Sequence, residues 1–517
     1  MKRLLIFSVI ILLIRSSYSQ PVSSTAIDSI VDKTMKVFNV PGIAVAVVKD
    51  DKVIHMKGYG VRSINTMEKV DENTLFAIAS NTKAFTSAAL GILIDEGKLS
   101  WDSRVTDIIP EFKLYNPYVT EEFTIKDLLT HRSGMGLGAG DLMMWPDSAT
   151  FTKAEIIHNL RFLKPVSSFR TKYDYDNLLY IVAGEVVARV SGTSWEDFVE
   201  TRIMKPLGMT KSAASINRLK DKSDIIDAHV PVSGKLIVVP KQESDIHNSA
   251  GGIFSNVSDM SKWVMMQINN GKYGDKLDKR IFSEKAHEEM WTPQTIIPVR
   301  SPDSYNTHFA SYGLGWNLRD VKGYKQASHT GGLMGIVTQV TIIPELKLGI
   351  IVFTNQQSDA AFTAITNSIK DSYLGVTGHD RIKEMNDLVQ RNEVEAGKVT
   401  AAIWKDIEAQ QKSRKSMSDN EIYTGTYTDS WFGDIVISSK DGRLWFNSVR
   451  SPKLSGEMMY YKGNTFIIKW RDRSLDADAY AIFSLDISGK PAGLKMEAIS
   501  PLTDFSYDFQ DLDFSRK

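Results

Sequence analysis

The stretch FAIASNTKAFTSAALGILIDEGKLSWD, residues 76–102, begins as an apolar strand run and continues as an apolar helix that ends at Gly97. Ser80 lies at the join, and Lys83 follows one helical turn later, on the same expected face. Unpaired backbone N–H groups at a helix start favour developing negative charge, and a nearby lysine offers a base and a positive field. Taken alone, a two-position pattern of this kind often occurs by chance and favours a helix-capping serine beside a solvated lysine.

Two later motifs favour the chemical interpretation. Tyr-Asp-Asn at 175–177 stands in KYDYDNLLYIVAGEVVARVSG, just before an apolar helix. His-Thr-Gly-Gly at 329–332 stands in ASHTGGLMG, between two strand-like runs. The order Ser-x-x-Lys, Tyr-x-Asn, and then a basic residue before Thr-Gly resembles the motif set of the serine β-lactamase and penicillin-binding superfamily.

The resemblance extends beyond the motifs and covers residues 26–375. Tyr-x-Asn in the middle position is similar to the class C and S12-peptidase branch of that superfamily. The flanking stretches that also agree are VPGIAVAVVKD, TIKDLLTHRSGM, VETRIMKPLGMTKS and SAGGIFSNVSDMSKW. The resemblance implies an α+β fold, with an antiparallel sheet flanked by helices plus a helical region. An α/β-hydrolase is disfavoured because the chain has no Gly-x-Ser-x-Gly elbow.

Carried over to this chain, the resemblance implies a role for each motif residue. Ser80 is the expected nucleophile that forms an acyl-enzyme, and Lys83 and Tyr175 are the expected proton-transfer pair, with the formal base left open. Asn177 is expected to hold Lys83 and the substrate amide. The remaining expected substrate and transition-state contacts are His329, Thr330, Gly331 and Gly332, with the backbone N–H groups of Ser80 and Gly332 as the oxyanion hole. This chemistry implies neither a metal nor a cofactor.

His329 departs from the pattern of true β-lactamases, which usually carry a lysine there. Histidine, with an unperturbed pKa near 6.5, is mostly neutral at pH 7 and binds a substrate carboxylate less tightly. Family members with histidine here include D-aminopeptidases and esterases. We therefore rank a D-amino-acid-specific peptidase or esterase of the S12 type first, followed by a D,D-carboxypeptidase and a β-lactamase.

A different function class is a non-catalytic, penicillin-recognising sensor or binding protein built on the same fold. Such proteins commonly lose a motif residue, whereas all four of Ser80, Lys83, Tyr175 and Asn177 are present here. The sequence therefore favours a serine hydrolase acting on a small-molecule or peptide substrate, possibly one that contains D-amino acids.

The composition is that of an ordinary globular protein, with 42% hydrophobic and 24% charged residues. Lysine plus arginine equals aspartate plus glutamate, at 62 each, so the charge gives no indication of nucleic-acid binding. The chain contains no cysteine, which excludes a cysteine nucleophile and disulfides.

The N-terminus predicts export. Lys2 and Arg3 precede an apolar run at residues 4–14, and small residues follow at 16–19. This pattern is typical of a signal peptide, here residues 1–19, and predicts a periplasmic or secreted protein with no stable membrane insertion after cleavage. The alternative, an uncleaved anchor, is disfavoured because the run would span only about 16 Å as a helix.

The chain divides into two predicted domains. Residues 20–376 form the hydrolase domain, residues 377–419 a linker with a helix, and residues 420–517 a domain of short alternating runs. Alternation alone fits a small antiparallel barrel or a sandwich, and the resemblance implies a lipocalin-like barrel. We expect this domain to cover the active-site entrance or to support an oligomer; the alternative is a passive packing module.

Overall fold

The computed structural model describes residues 21–301, 303–412 and 420–517. The predicted signal peptide, residues 1–19, lies outside these residues, as does the end of the predicted linker. The helices, in chain order, are α1 (Ser24–Phe38), α2 (Thr82–Asp95), α3 (Val105–Ile108), α4 (Pro117–Glu122), α5 (Ile125–Leu128), α6 (Lys153–Asn159), α7 (Leu178–Ser191), α8 (Trp195–Val199), α9 (Lys205–Leu207), α10 (Asn248–Gly251), α11 (Val257–Ile268), α12 (Glu284–Met290), α13 (Asp359–Leu374) and α14 (Arg381–Lys412).

The strands, in chain order, are β1 (Gly42–Lys49), β2 (Lys52–Gly60), β3 (Phe76–Ala77), β4 (Ala228–Val232), β5 (Lys235–Val239), β6 (Phe254–Ser255), β7 (Lys272–Tyr273), β8 (Lys279–Arg280), β9 (Thr295–Ile297), β10 (Ala310–Tyr312), β11 (Asn317–Val321), β12 (Tyr324–Leu333), β13 (Ile336–Ile343), β14 (Leu348–Thr354), β15 (Gly425–Asp429), β16 (Gly433–Lys440), β17 (Arg443–Ser448), β18 (Ser455–Lys462), β19 (Thr465–Trp470), β20 (Ala479–Leu485), β21 (Pro491–Ala498) and β22 (Asp513–Arg516).

An eight-stranded antiparallel sheet forms the centre of the first domain, in the order β2-β1-β14-β13-β12-β11-β10-β9. Val45 of β1 is opposite Val352 of β14, so strands from the two ends of this region lie side by side. Successive residues of β1 pack on opposite faces: Ala44 packs in the core that contains α2, and Val45 in the core that contains α1 and α13. The predicted α+β fold is confirmed.

Helix α2 runs through the interior of this domain. Its residues from Thr82 to Leu93 are all buried, and Phe85 stacks on Trp263 of α11 with a ring separation of 3.8 Å. The helix ends at Asp95, and Gly97 follows in the left-handed region with φ 70°. A helix enclosed on all sides is a rigid support for the residues at its start.

Strands β15–β22 close into an eight-stranded antiparallel barrel in chain order. Closure decides between the barrel and the sandwich that the alternating pattern left open. Large side chains fill the interior: Phe446, Phe466, Trp470 and Phe514 are each at most 1% exposed.

Helix α14 packs against both domains. Ile382, in its first turn, lies in the core formed with α1 and α13. Ile403 and Ile407, near its other end, pack with Tyr461 and Ile467 of the barrel. Burial at both ends makes this segment a structural strut rather than a free tether.

Candidate functional site

Ser80 lies in a short 3-10 turn, residues 79–81, between β3 and α2. The preceding residue, Ala79, is fully buried and adopts φ 47°, a conformation that is unfavourable for a residue with a Cβ. The Asn81 side chain donates to Thr338 Oγ1 of β13 over 2.9 Å and so holds the turn against the sheet. Ser80 is partly exposed to a cavity, while both its neighbours are buried.

Lys83 is fully buried and makes three hydrogen bonds. Its Nζ donates to Ser80 Oγ over 3.1 Å, to Asn177 Oδ1 over 2.7 Å and to the Ala250 carbonyl over 3.0 Å. Burial disfavours the ammonium and lowers the pKa of Lys83 to about 7, although Asp141 and Asp176 oppose this effect. A substantial fraction of the amine is therefore neutral near neutral pH.

Tyr175 borders the same space. Lys83 Nζ lies 4.8 Å from the centre of the Tyr175 ring. Burial raises the pKa of Tyr175 well above its ordinary value, and the interaction with Ser80 offsets only part of that increase. A lowered Tyr175 pKa, which a phenolate base would require, is not found in this arrangement.

Asn177 precedes helix α7 and connects Lys83 to a buried carboxylate. Its Nδ2 donates to Asp141 Oδ2 over 2.8 Å, while its Oδ1 accepts from Lys83. The Asp176 side chain is not among the groups that line the cavity, as alternation along the chain predicts, and it accepts from Ser133 Oγ over 3.2 Å. Asp176 and Asn177, although adjacent in the chain, therefore contact different groups.

His329 is buried in β12 and is neutral. Its Nδ1 lies 2.5 Å from the Thr330 carbonyl oxygen, which can only accept, so Nδ1 carries the proton and Nε2 accepts from the Tyr312 hydroxyl over 2.8 Å. Burial, together with the nearby Lys83, lowers the pKa of His329 to about 3. No fixed positive charge stands at this position near pH 7.

The end of β12 passes close to the Ser80 turn. A Cβ on Gly331 would lie 2.2 Å from the Ile78 carbonyl oxygen, so only glycine permits this approach. A Cβ on Gly332 would meet no atom within 4 Å. Thr330 and Gly332 both line the cavity. The strand therefore forms the cavity wall beside Ser80.

The cavity has a volume of about 960 Å³, which suits a ligand of several residues. It brings together seven of the eight predicted site residues on its wall: Ser80, Tyr175, Asn177, His329, Thr330, Gly331 and Gly332. Lys83, the eighth, lies behind Ser80 and Asn177 at hydrogen-bond distance.

Four groups at the site were not identified as site residues from the sequence. They are Asp141 on Asn177, the Ala250 carbonyl on Lys83, Tyr312 on His329, and Ser506, whose hydroxyl donates to Asp141. The glycine-rich run at 134–141 and the stretch from Ser249 were signals for the first two. No local pattern marks Ser506, which is 365 residues from Asp141 in the chain.

In the described parts of the chain, no group of three or more His, Asp or Glu side chains is placed to hold a metal ion. Across the same residues, no helix is long and apolar enough to cross a membrane.

Comparison with protein families gives two matches that together span most of the chain. The β-lactamase family model matches residues 27–372, and a model described as a domain of unknown function, DUF3471, matches residues 406–516. The second match contains every strand of the barrel.

Curated relatives are distant. An unguisins hydrolase of Aspergillus violaceofuscus is 28% identical over 441 residues, which are 80% of this chain and 76% of that protein. A second unguisins hydrolase, of Aspergillus campestris, is 29% identical and covers 68% and 66% of the two chains. The protein Flp of Staphylococcus aureus is 27% identical, over 65% of this chain and 64% of its own length.

Solved structures share the fold. An octameric penicillin-binding protein homologue from Pyrococcus abyssi superposes with a TM-score of 0.60 at 21% identity, covering 95% of this chain and 99% of the other. A class C β-lactamase superposes with a TM-score of 0.55 at 20% identity, covering 68% and 96%. With a family match over two thirds of its length and this fold, the chain belongs to the β-lactamase family of serine hydrolases.

Proposed function

We propose that this serine hydrolase cleaves an ester or amide through an acyl-enzyme on Ser80, with neutral Lys83 as the base. The observation that carries the proposal is the 3.1 Å separation of Ser80 Oγ from the fully buried Lys83 Nζ. The neutral amine keeps two N–H groups for Asn177 Oδ1 and the Ala250 carbonyl, and its lone pair then accepts from the Ser80 hydroxyl. With a pKa of about 7, Lys83 has a large neutral fraction, whereas burial keeps Tyr175 protonated.

The steps follow from these protonation states. Ser80 Oγ bonds to the carbonyl carbon while its proton passes to Lys83, and the developing oxyanion is bound by the backbone N–H groups of Ser80 and Gly332. The bond to the leaving group then breaks, and the proton moves through the Tyr175 hydroxyl to that group. Water adds to the acyl ester, gives a proton back to Ser80 through the same residues, and releases the acid.

Charge on the cavity wall supports a peptidase or esterase that acts on substrates with a free ammonium, and the D-aminoacyl class within these is proposed from the resemblance at His329. The charged residues that line the cavity are Asp359, Glu393 and Asp504, and among the described lining residues none is lysine or arginine. Since His329 is also neutral, a substrate carboxylate finds no fixed cation on this wall, whereas an ammonium finds three acidic neighbours. This disfavours a β-lactam or a peptide ending in D-Ala-D-Ala.

We further propose that residues 1–19 direct export, and that the domains are residues 20–376 and 420–517, joined by residues 377–419. The leader pattern supports the first point, and the positions of the closed barrel and of α14 support the second. An oligomer is compatible with the octameric structural relative.

The test is a substrate panel with the full chain. It compares kcat/KM for D- and L-aminoacyl p-nitroanilides, p-nitrophenyl esters with a free ammonium or a free carboxylate, a chromogenic cephalosporin and a D-Ala-D-Ala peptide. We expect the D-aminoacyl and ammonium-bearing substrates to lead. Fastest turnover of the cephalosporin would instead identify a β-lactamase, and binding without turnover would identify a sensor.

Asp504→Asn provides the charge control for the panel. Asp504 lies near Asp359 at the cavity, and each carboxylate favours a cation there. Removing one charge should reduce the preference for the ammonium ester over the carboxylate ester by about three- to tenfold at low ionic strength. An unchanged ratio would contradict the charge-selection argument.

The pH profile of kcat/KM should show an acidic limb, a fall in rate toward low pH, with its midpoint near pH 7. The base must be deprotonated, so kcat/KM rises with pH through the Lys83 pKa of about 7, and only about 1% of Lys83 is neutral at pH 5. The neighbouring histidines, His131, His247 and His329, have pKa values lowered by burial and stay neutral across this range.

Asp176, whose pKa burial raises to about 7, and Asp141, whose pKa burial raises well above its ordinary value, are alternative sources of such a limb. The limb should therefore persist in Asp176→Asn, moved to lower pH because a carboxylate that stabilises the Lys83 ammonium is gone. A flat profile from pH 5 to 8 in the wild type would contradict Lys83 as the base.

A further inference from the structure

Residues 499–512, which connect β21 to β22, bring the barrel domain to the active site. Asp508 of this segment is fully buried and accepts hydrogen bonds from the backbone N–H groups of Gly140, over 2.6 Å, and Leu142, over 3.0 Å. At Gly138, a Cβ would lie 2.6 Å from the Phe505 carbonyl oxygen, so the two backbones are in direct contact. The segment is thus firmly docked on the loop that carries Asp141.

Docking brings Ser506 to the carboxylate behind Asn177. Ser506 Oγ donates to Asp141 Oδ2 over 3.0 Å, and Asn177 Nδ2 donates to the same oxygen over 2.8 Å. Phe505, the neighbouring residue, lies edge-on to the Tyr175 ring at 5.7 Å. Two successive residues of the barrel domain therefore contact Tyr175, which we assign to proton transfer, and Asp141, which holds Asn177.

The orientation of Asn177 depends on this arrangement. Neutral Lys83, with its lone pair on Ser80 Oγ, donates to the Ala250 carbonyl and to Asn177, so it requires Oδ1, and Nδ2 must then find an acceptor on the other side, which Asp141 supplies. The second carboxylate oxygen of Asp141 is buried without a hydrogen-bond partner among the described residues, so the two donors on Oδ2 hold the side chain. Losing one of them leaves Asn177 as the single donor.

We propose that Ser506 is a positioning residue of the hydrolase site, acting through Asp141 and Asn177 on Lys83. The first domain alone then lacks one of its positioning groups, and the barrel is part of the active site rather than a passive attachment. The inference rests on the proposed role of Ser80 and Lys83.

The test measures how fast a fluorophosphonate labels Ser80 in the full chain, because this needs no knowledge of the natural substrate. Ser80 oxygen bonds to phosphorus, fluoride leaves, and the serine proton passes to the base. Ser506→Ala should slow labelling by about tenfold, as expected for one member of a buried network. Ser506→Thr retains the hydroxyl and should recover most of the rate.

The matched control is Ser500→Ala, on the same segment, whose hydroxyl accepts from the Leu502 N–H and makes no contact with Asp141. It should label at the wild-type rate. A double-mutant cycle tests whether Ser506 acts through Asp141. In an Asp141→Ala background, Ser506→Ala should have little additional effect on the labelling rate. Thermal midpoints of all variants separate this loss from unfolding.

Equal labelling of Ser506→Ala and the wild type would overturn the inference, as would an unreduced effect in the Asp141→Ala background. Failure of the proposed function would give a different result in the two assays. In that case the wild type is labelled at Ser80 but turns over no ester or amide of the substrate panel.

Discussion

Replacement of Ser80 by alanine should lower kcat/KM for the best substrate by about 10⁴-fold or more, which is the scale of loss when a serine nucleophile is removed. The alanine side chain cannot bond to the carbonyl carbon, while the cavity and the Lys83–Asn177 hydrogen bond remain. Substrate should therefore still bind. Stopped-flow or steady-state hydrolysis of an activated ester measures the turnover, and mass spectrometry detects the acyl-enzyme.

Ser87→Ala is the matched control for this variant. Ser87 lies one turn beyond Lys83 in α2, is fully buried, donates to the Lys83 carbonyl over 3.1 Å and is not among the lining residues, so the exchange removes a nearby hydroxyl without altering the cavity wall. It should retain acyl-enzyme formation. If Ser80→Ala turned over substrate as fast as the wild type, the covalent mechanism would be wrong.

Two replacements of Lys83 distinguish a base from a fixed positive charge. Lys83→Met removes the amine, and Lys83→Arg retains a cation that does not lose its proton near neutral pH. If neutral Lys83 takes the serine proton, both variants should lose about 10³-fold or more in acylation rate. If its role is only electrostatic, arginine should retain much of the rate.

Burial makes a folding control essential for these variants. Lys83 is fully enclosed, and the Ala250 carbonyl and Asn177 Oδ1 both lose a donor in Lys83→Met. Circular dichroism and thermal unfolding of each variant should show a folded chain before rates are compared. A folded Lys83→Arg variant with near wild-type acylation would refute the assignment of the base.

Much of the candidate site follows from short-range sequence patterns. Ser80 and Lys83 are one helical turn apart, so their proximity is a property of the helix. Tyr175 and Asn177 share one turn before α7, with Asp176 directed to the other side by alternation. The hairpin at Asp50 and the strands around the two ends of the first domain were likewise predictable from apolar runs and turn residues.

The remaining features depend on contacts between distant segments. Asp141 lies in a glycine-rich loop, and nothing in the sequence of that loop shows which side chain it will meet. The Tyr175 pKa also depends on enclosure: a phenolate base would need a lowered pKa, whereas burial, a tertiary property, raises it. The prediction that the barrel domain covers the active-site entrance is supported by Leu502, Asp504 and Phe505, which lie on the cavity wall.

The sequence by itself determined the order of the motifs, the α+β character of the first domain and the strand-rich nature of the second, because helix and strand periodicity are local. The tertiary structure alone decided that the strands close into a barrel, that Lys83 is buried deeply enough for a pKa of about 7, and that Ser506 meets Asp141. Burial and long-range hydrogen bonds depend on how the packed elements enclose a residue, and no local pattern encodes that enclosure.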